Sequence, residues 1–425
     1  MRRRRMLTVS ALTVAAALAL SSCGGDGGDG DGAAAPAEIR GPITFAQGKD
    51  LSGELQKIID GWNTAHANEK VKFLELPEAA DEQRNSMVQN FQAKSDAYDV
   101  VATDVQWTAE FAARQWLEPL DEATFGGGDL LPAAVETGKY DGKLYATPFN
   151  TNAAFLYYRK DLVPTPPATW AELTQACDSV AKTNKMGCYA GQFAQYEGLT
   201  VNASEVINSA GGELLKDSGK TVAVDTPEAR EGLQFLVDGF EKGYIPKEAI
   251  TFQEEESRRA FQQGQLLFLR NWPYVFGLAN TKGPDSKIVG KFDIAPLPGK
   301  AGVGASTLGG YNLAVSSFSK NKATAKDFIK YMQSEESQQK VLTEMGFPPV
   351  LQSIYDDTAL QGEFPYLKTL KEALLSAQAR PASPNYNEVS LAIQTNAYAA
   401  LQGQKSVDQA IKDMKAELER AAARN

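Results

Sequence analysis

From Ile43 to Val105 strand-like and helix-like segments alternate, and this alternation restricts the fold more than any other feature of the chain. Ile43-Thr44-Phe45-Ala46 reads as a first strand. Leu51 to Ala65 places Leu51, Leu55, Ile58, Ile59 and Trp62 at helical spacing. Val71 to Leu76 is a second, alternating strand, and Asp81 to Lys94 is a helix with Met87, Val88 and Phe91 on one side. Tyr98 to Val105 is a third, mostly apolar strand. A β-α-β-α-β order predicts an α/β class with parallel strands and right-handed crossovers. Strands that run the same way end at one edge, where open α/β sheets bind ligands. Polar groups fall just past those ends: Lys49 and Asp50, then Asp104 and Gln106, then Asn150 and Asn152 after the strand Leu144 to Phe149. Carboxylates and amides there suit hydroxyl-rich ligands, since each makes two directional hydrogen bonds. Asp104 also fits as the N-cap of a helix starting near Ala109.

With 425 residues the chain exceeds one ordinary core, so two domains are expected. Its 43% hydrophobic and 23% charged content is that of a globular protein. Lysine and arginine number 43 against 53 acids, a net charge of −10 that becomes −14 without Arg2 to Arg5. So acidic a body argues against nucleic acid or an anionic membrane surface as the main partner. The single histidine, His66, argues against a histidine metal site or a serine–histidine–aspartate triad. It lies at the end of the first helix and is expected to be solvated. No metal or cofactor is expected.

Residues 1–23 have the layout of an export signal: basic Arg2 to Arg5, apolar Met6 to Leu20, then Leu20-Ser21-Ser22-Cys23. The last four resemble a bacterial lipobox, in which the cysteine is lipidated. Residues 24–38, rich in Gly, Asp, Ala and Pro, read as a flexible tether. The expected location is the outer face of the cell membrane, facing the extracellular or periplasmic side, with membrane contact through the N-terminal lipid only. Of three cysteines, Cys177 and Cys188 then remain in an oxidising compartment, where a disulfide between them is expected.

Further on, Ala154 to Tyr158 reads as a strand, Trp170 to Thr183 as a helix, and Thr226-Pro227-Glu228 opens a helix running to Gly239. Glu254-Glu255-Glu256 leads another helix, whose acidic start suits the helix dipole. Gln265 to Leu269 is a buried strand that breaks at Asn271-Trp272-Pro273-Tyr274. Trp272 and Tyr274 thus stand at a strand's carboxyl end, where flat rings can cover the C–H face of a sugar. Core packing is the competing role for both. Gly309-Gly310 precedes the strand Tyr311 to Val315 and permits either a close backbone approach to ligand or a tight turn. Ala323 to Gln333 and Glu336 to Met345 are helical, as are Val389 to Leu401 and Val407 to Ala422. Arg380, on a proline-stiffened loop, can fork onto hydroxyls or pair with a surface acid.

Four segments carry a resemblance: Phe149 to Leu162, Arg270-Asn271-Trp272-Pro273-Tyr274, Leu308-Gly309-Gly310-Tyr311, and Arg380-Pro381-Ala382-Ser383-Pro384. In order and spacing they resemble the extracellular solute-binding proteins of sugar ABC importers, the maltose- and trehalose-binding group, over residues 39–420. The resemblance implies an α/β, two-lobed periplasmic-binding-protein-like fold with discontinuous lobes and the ligand cleft between them. The first lobe would comprise 39–149 plus 303–355 and the second 150–302 plus 356–425. It implies a monomeric, non-enzymatic binder that closes on an α-linked disaccharide and delivers it to the transmembrane subunits of an ABC permease. Asp50, Arg84 and Asp104 are implied as first-lobe contacts. Asn152 stands where several trehalose or maltose binders have aspartate, and the resemblance to some trehalose-directed relatives that carry asparagine there favours trehalose over maltose or related α-glucosides. Trp272 and Tyr274 match a stacking pair, and Gly310 with Tyr311 matches a Gly-Trp pair. Arg380 matches a hydroxyl-clamping arginine, and Glu254 and Glu197 are placed by local similarity. The alternatives are an exported carbohydrate-active hydrolase, which needs two carboxylates at a set separation, and a binder of a non-sugar solute such as a peptide, polyamine or glycerol phosphate.

Overall fold

The computed structural model describes residues 39–217 and 219–424. The export signal, Cys23 and the tether expected over residues 1–38 lie outside the described residues. The strands of the two larger sheets are β1 (Ile43–Gly48), β2 (Val71–Leu76), β3 (Val100–Asp104), β4 (Thr147–Asn152), β5 (Phe155–Tyr158), β6 (Gly187–Ala190), β7 (Leu266–Asn271), β8 (Asp293–Ala295), β9 (Thr307–Val315) and β10 (Gln378–Ala379). The helices used below are α1 (Leu55–Ala65), α2 (Ala80–Gln92), α3 (Glu197–Ser209), α4 (Pro227–Glu241), α5 (Glu254–Gln262), α6 (Tyr386–Leu401) and α7 (Val407–Ala422).

One sheet has the order β10-β9-β3-β1-β2, with β4 also paired to β9. β1 runs parallel to β2 and β3, as the alternating start requires. The second sheet has the order β8-β5-β7-β6. Both belong to one compact unit, Glu38–Asn425. The chain passes from the first sheet to the second between β4 and β5, and returns between β8 and β9.

Local chemistry explains most of the elements. α1 buries Leu55, Ile58, Ile59 and Trp62, one face of a helix. It starts at Leu55 and not at Leu51, because Asp50 accepts bonds from the Leu55 N–H (2.9 Å) and the Ser52 N–H (3.0 Å) and so fixes a turn ahead of the helix. α4 opens on Thr226, whose hydroxyl accepts the Ala229 N–H at 3.2 Å, with Pro227 at its first position.

Several expectations are corrected. The first sheet is mixed, since β9 runs antiparallel to β3 and β4. Gly309 and Gly310 lie inside β9, not ahead of it. The strand expected at Leu144 to Phe149 is two pieces, Lys143–Leu144 and Thr147–Asn152. The helix from Trp170 is interrupted by a wider π turn at Cys177–Ala181. His66 is half-buried and stacked on Trp62, ring centroids 3.6 Å apart. Cys177 and Cys188 are joined, as expected. Among the described residues no helix is long and apolar enough to cross a membrane.

Candidate functional site

The antiparallel register of β9 assembles one wall of the site. Tyr311 is the partner of Asp104 on β3 and of Asn150 on β4, and Gly309 is the partner of Asn152. Residues distant in sequence thus form a short polar row at the end of β3. Asn150 is held within it, its Oδ1 accepting the Tyr311 N–H at 2.8 Å. Gly310 permits the close approach. Its φ is +119°, and a Cβ there would stand 2.3 Å from the Asn150 carbonyl oxygen.

Facing this wall across a cavity of about 150 Å³ are groups from the second sheet and its helices, notably Trp272, Tyr274, Glu254, Glu197 and Gly198. The acidic run at the start of α5 divides three ways. Glu256 completes a capping box with Gln253. Glu255 pairs with Arg258 and accepts the Tyr274 hydroxyl at 2.8 Å. Glu254 opens onto the cavity, and its Oε2 accepts the Tyr196 hydroxyl at 2.6 Å. Its removal from bulk water pushes the carboxyl above its ordinary range, against hydrogen bonds from Tyr196 and Trp272.

Arg380 ties the two walls together. It is 5% exposed. Its Nη2 donates to Asp104 Oδ1 at 2.8 Å, and its Nη1 donates to Glu197. Burial works against the guanidinium charge, but Asp104, Tyr386 and Glu197 together hold its pKa above the ordinary value. Glu197 also accepts the Tyr386 hydroxyl at 2.6 Å and the Ser390 hydroxyl. Burial pushes Glu197 above its ordinary range, with Arg380 opposing. Arg380 Nε has no partner among the described residues and leaves one donor unspent beside the cavity. Asp104 accepts the Gln106 N–H at 3.0 Å as well, though the helix that follows takes Gln106 as its N-cap.

Residues 46–339 match the family described as bacterial extracellular solute-binding protein. The chain belongs to that family. A probable ABC transporter-binding protein of Deinococcus radiodurans is 33% identical over 403 residues, covering 90% of this chain and 94% of the relative. Among solved structures, maltose-bound MalE3 of T. maritima aligns with a TM-score of 0.84 at 35% identity, covering 89% of this chain and 99% of its own. The GacH receptor of Streptomyces glaucescens, described unliganded and with acarbose, aligns with a TM-score of 0.81 at 26% identity, covering 91% and 99%. The fold is therefore the two-lobed one, and this solute-binding protein is not an enzyme.

Nine of the eleven residues expected to contact ligand line the cavity of the solute-binding protein: Asp104, Asn150, Asn152, Glu254, Trp272, Tyr274, Gly310, Tyr311 and Arg380. The other two do not. Asp50 accepts the Leu55 N–H and holds the turn ahead of α1, as described. Arg84 pairs through two bonds with Glu110, at 2.9 and 2.6 Å. Its neighbour Gln83 faces the cavity instead, accepting the Tyr311 hydroxyl at 3.3 Å. One residue along a helix turns a side chain by about 100°, and no local pattern distinguishes Gln83 from Arg84. Phe347 was also missed. It packs edge-on to Tyr274, centroids 6.5 Å apart, just before Pro348-Pro349. The signal that singled out Trp272 before Pro273, an aromatic ring at a proline-broken end, applies to it equally.

Proposed function

We propose that this solute-binding protein captures an α-linked disaccharide, trehalose before maltose or related α-glucosides, and delivers it to the transmembrane subunits of an ABC permease. The observation that carries the reading is the facing of Trp272 and Tyr274 against the Asp104–Tyr311–Asn150 row, with Arg380 between. Flat rings on one side and amides, a carboxylate and a spare guanidinium donor on the other match the two kinds of surface a pyranose presents. The maltose bound by MalE3 and the acarbose bound by the GacH receptor are the neighbours' ligands, and both support an α-glucoside. Asn152 stands where some trehalose-directed members of the resembled group also carry asparagine, which is the reason for ranking trehalose first.

The mechanism in this reading is hinge closure. The lobes are 39–149 plus 303–355 and 150–302 plus 356–425, except that the rest of β4 through Asn152 is grouped with the first lobe because it pairs with β9. Contacts that span them include Arg380 with Asp104, and Asp81 of α2 with the Glu197 N–H and the Gln394 side chain. A ligand that touches both walls favours the closed form, because the contacts exist together only there. The protein works as a monomer, held at the outer membrane surface by lipid on Cys23. Calorimetric titration of residues 37–425 with trehalose, maltose, sucrose and glucose tests the reading. Tight trehalose binding with the sugar recovered intact supports it. No heat with any of the four sends the search to longer oligosaccharides or non-sugar solutes.

A further inference from the structure

The buried pair of Arg270 and Glu205 takes no part in the reading above. Arg270 is 1% exposed. Its Nε and Nη2 donate to the two oxygens of Glu205 at 2.7 and 2.6 Å, and its Nη1 donates to Gln192 Oε1 at 2.7 Å. Its guanidinium carbon stands 4.2 Å from the centroid of the Trp272 ring, within cation–π range. Trp272 lines the cavity and Arg270 does not, so the cation covers the indole from the protein side. The far edge of the same ring abuts β9, where a Cβ on Gly309 would stand 3.1 Å from Trp272 Cη2. Glu205 reaches that strand too, its Oε1 accepting the Thr307 N–H at 3.1 Å.

One carboxylate therefore touches both the cation behind the ring and the strand against the ring's edge. A buried ion pair adds little net stability compared with apolar groups of the same shape. What it supplies is direction, since the guanidinium fork fits a carboxylate in one plane. We propose that Glu205 is a positioning residue: through Arg270 and the Thr307 N–H it fixes the plane of the Trp272 indole against β9. Ligand stacking on Trp272 is thereby tied to the strand that carries Tyr311 in the opposite wall. The binding half of this proposal rests on the reading of Trp272 as a sugar platform. The positional half does not.

The test uses nitrogen-labelled protein and the indole N–H signals of its 5 tryptophans. Trp272→Phe assigns the Trp272 signal by its loss. The double variant Glu205→Gln with Arg270→Met removes both charges together, so neither is left buried alone. The expected result is a shifted and broadened Trp272 signal with the other indoles unmoved, and sugar affinity lowered roughly tenfold, a fraction of one aromatic contact. An unmoved Trp272 signal overturns the proposal, and so does a moved signal with unchanged affinity. If the wild type binds no sugar yet the signal moves, positioning stands and the sugar reading fails. Should the double variant not fold, Arg270→Lys keeps the ion pair and loses the planar fork. Its Trp272 signal is expected to move less but in the same way, and an unmoved signal there overturns the proposal.

Discussion

Arg380 donates to Asp104 at 2.8 Å, joining the loop after β10 to the carboxyl end of β3. The same guanidinium holds Glu197 at the start of α3, so one cation balances two acids around the cavity. Removing it should be costly in two ways. Arg380→Ala leaves Asp104 and Glu197 without their partner, and breaking a buried pair costs about 3–5 kcal/mol. Urea unfolding is expected to show a loss of that size, and calorimetry a loss of ligand binding. A variant as stable as the wild type would mean that the two acids are paired elsewhere.

Gly310 should tolerate no side chain. Its φ of +119° lies where L-residues are strained, and an added methyl would meet the Asn150 carbonyl. Gly310→Ala is expected to cost about 1–3 kcal/mol from backbone strain alone. Gly309 has no such φ, and its added Cβ meets the edge of Trp272 most closely, with Asn152 Cβ in ordinary contact at 3.5 Å. Gly309→Ala should therefore lower ligand affinity more than stability. Denaturant midpoints and titrations on the same two variants check the contrast, and equal stability losses would contradict it.

Much of the fold was legible in these particulars. The apolar spacing of Leu55, Ile58, Ile59 and Trp62 predicts α1 because burial of one helix face requires that period. Thr226-Pro227 marks the start of α4 because capping needs that chemistry. Tyr311's place beside Asp104 and Asn150 was not legible, since register between strands some two hundred residues apart in the chain has no local signature. The cavity residues taken from strand ends, Asp104, Asn150 and Asn152, were found because parallel strands share an edge. Asp50 and Arg84 do not line the cavity, because a helix-start turn and a largely buried ion pair with Glu110 use the same side chains that a sugar does.

The pH dependence of stability has a defined sign at Glu254. Enclosure raises its carboxyl above the ordinary 4.5, so the folded state holds its proton longer than the unfolded chain does. Between 4.5 and that raised value the folded state binds more protons, and stability falls as pH rises through the window. Glu254→Gln removes the charge and keeps an acceptor for Tyr196. Thermal unfolding from pH 4.5 upward should show the variant gaining on the wild type as pH increases. A difference in Tm that shrinks with rising pH would contradict this assignment.

The Cys177–Cys188 bridge should matter for stability and not for binding. Neither cysteine lines the cavity. Closing a short loop contributes about 2–4 kcal/mol through the unfolded chain. Reductant is expected to lower Tm while leaving ligand affinity unchanged at temperatures where the protein stays folded. A fall in affinity would place the bridge in the binding mechanism.

The most direct measurement is a calorimetric titration of trehalose into Trp272→Ala beside the wild type. If Trp272 stacks on the sugar, the folded variant should lose about 1–3 kcal/mol of binding free energy. Arg84→Ala, whose partner Glu110 lies off the cavity, should bind as the wild type does. Unchanged affinity in Trp272→Ala would remove the ring from the site and contradict the account.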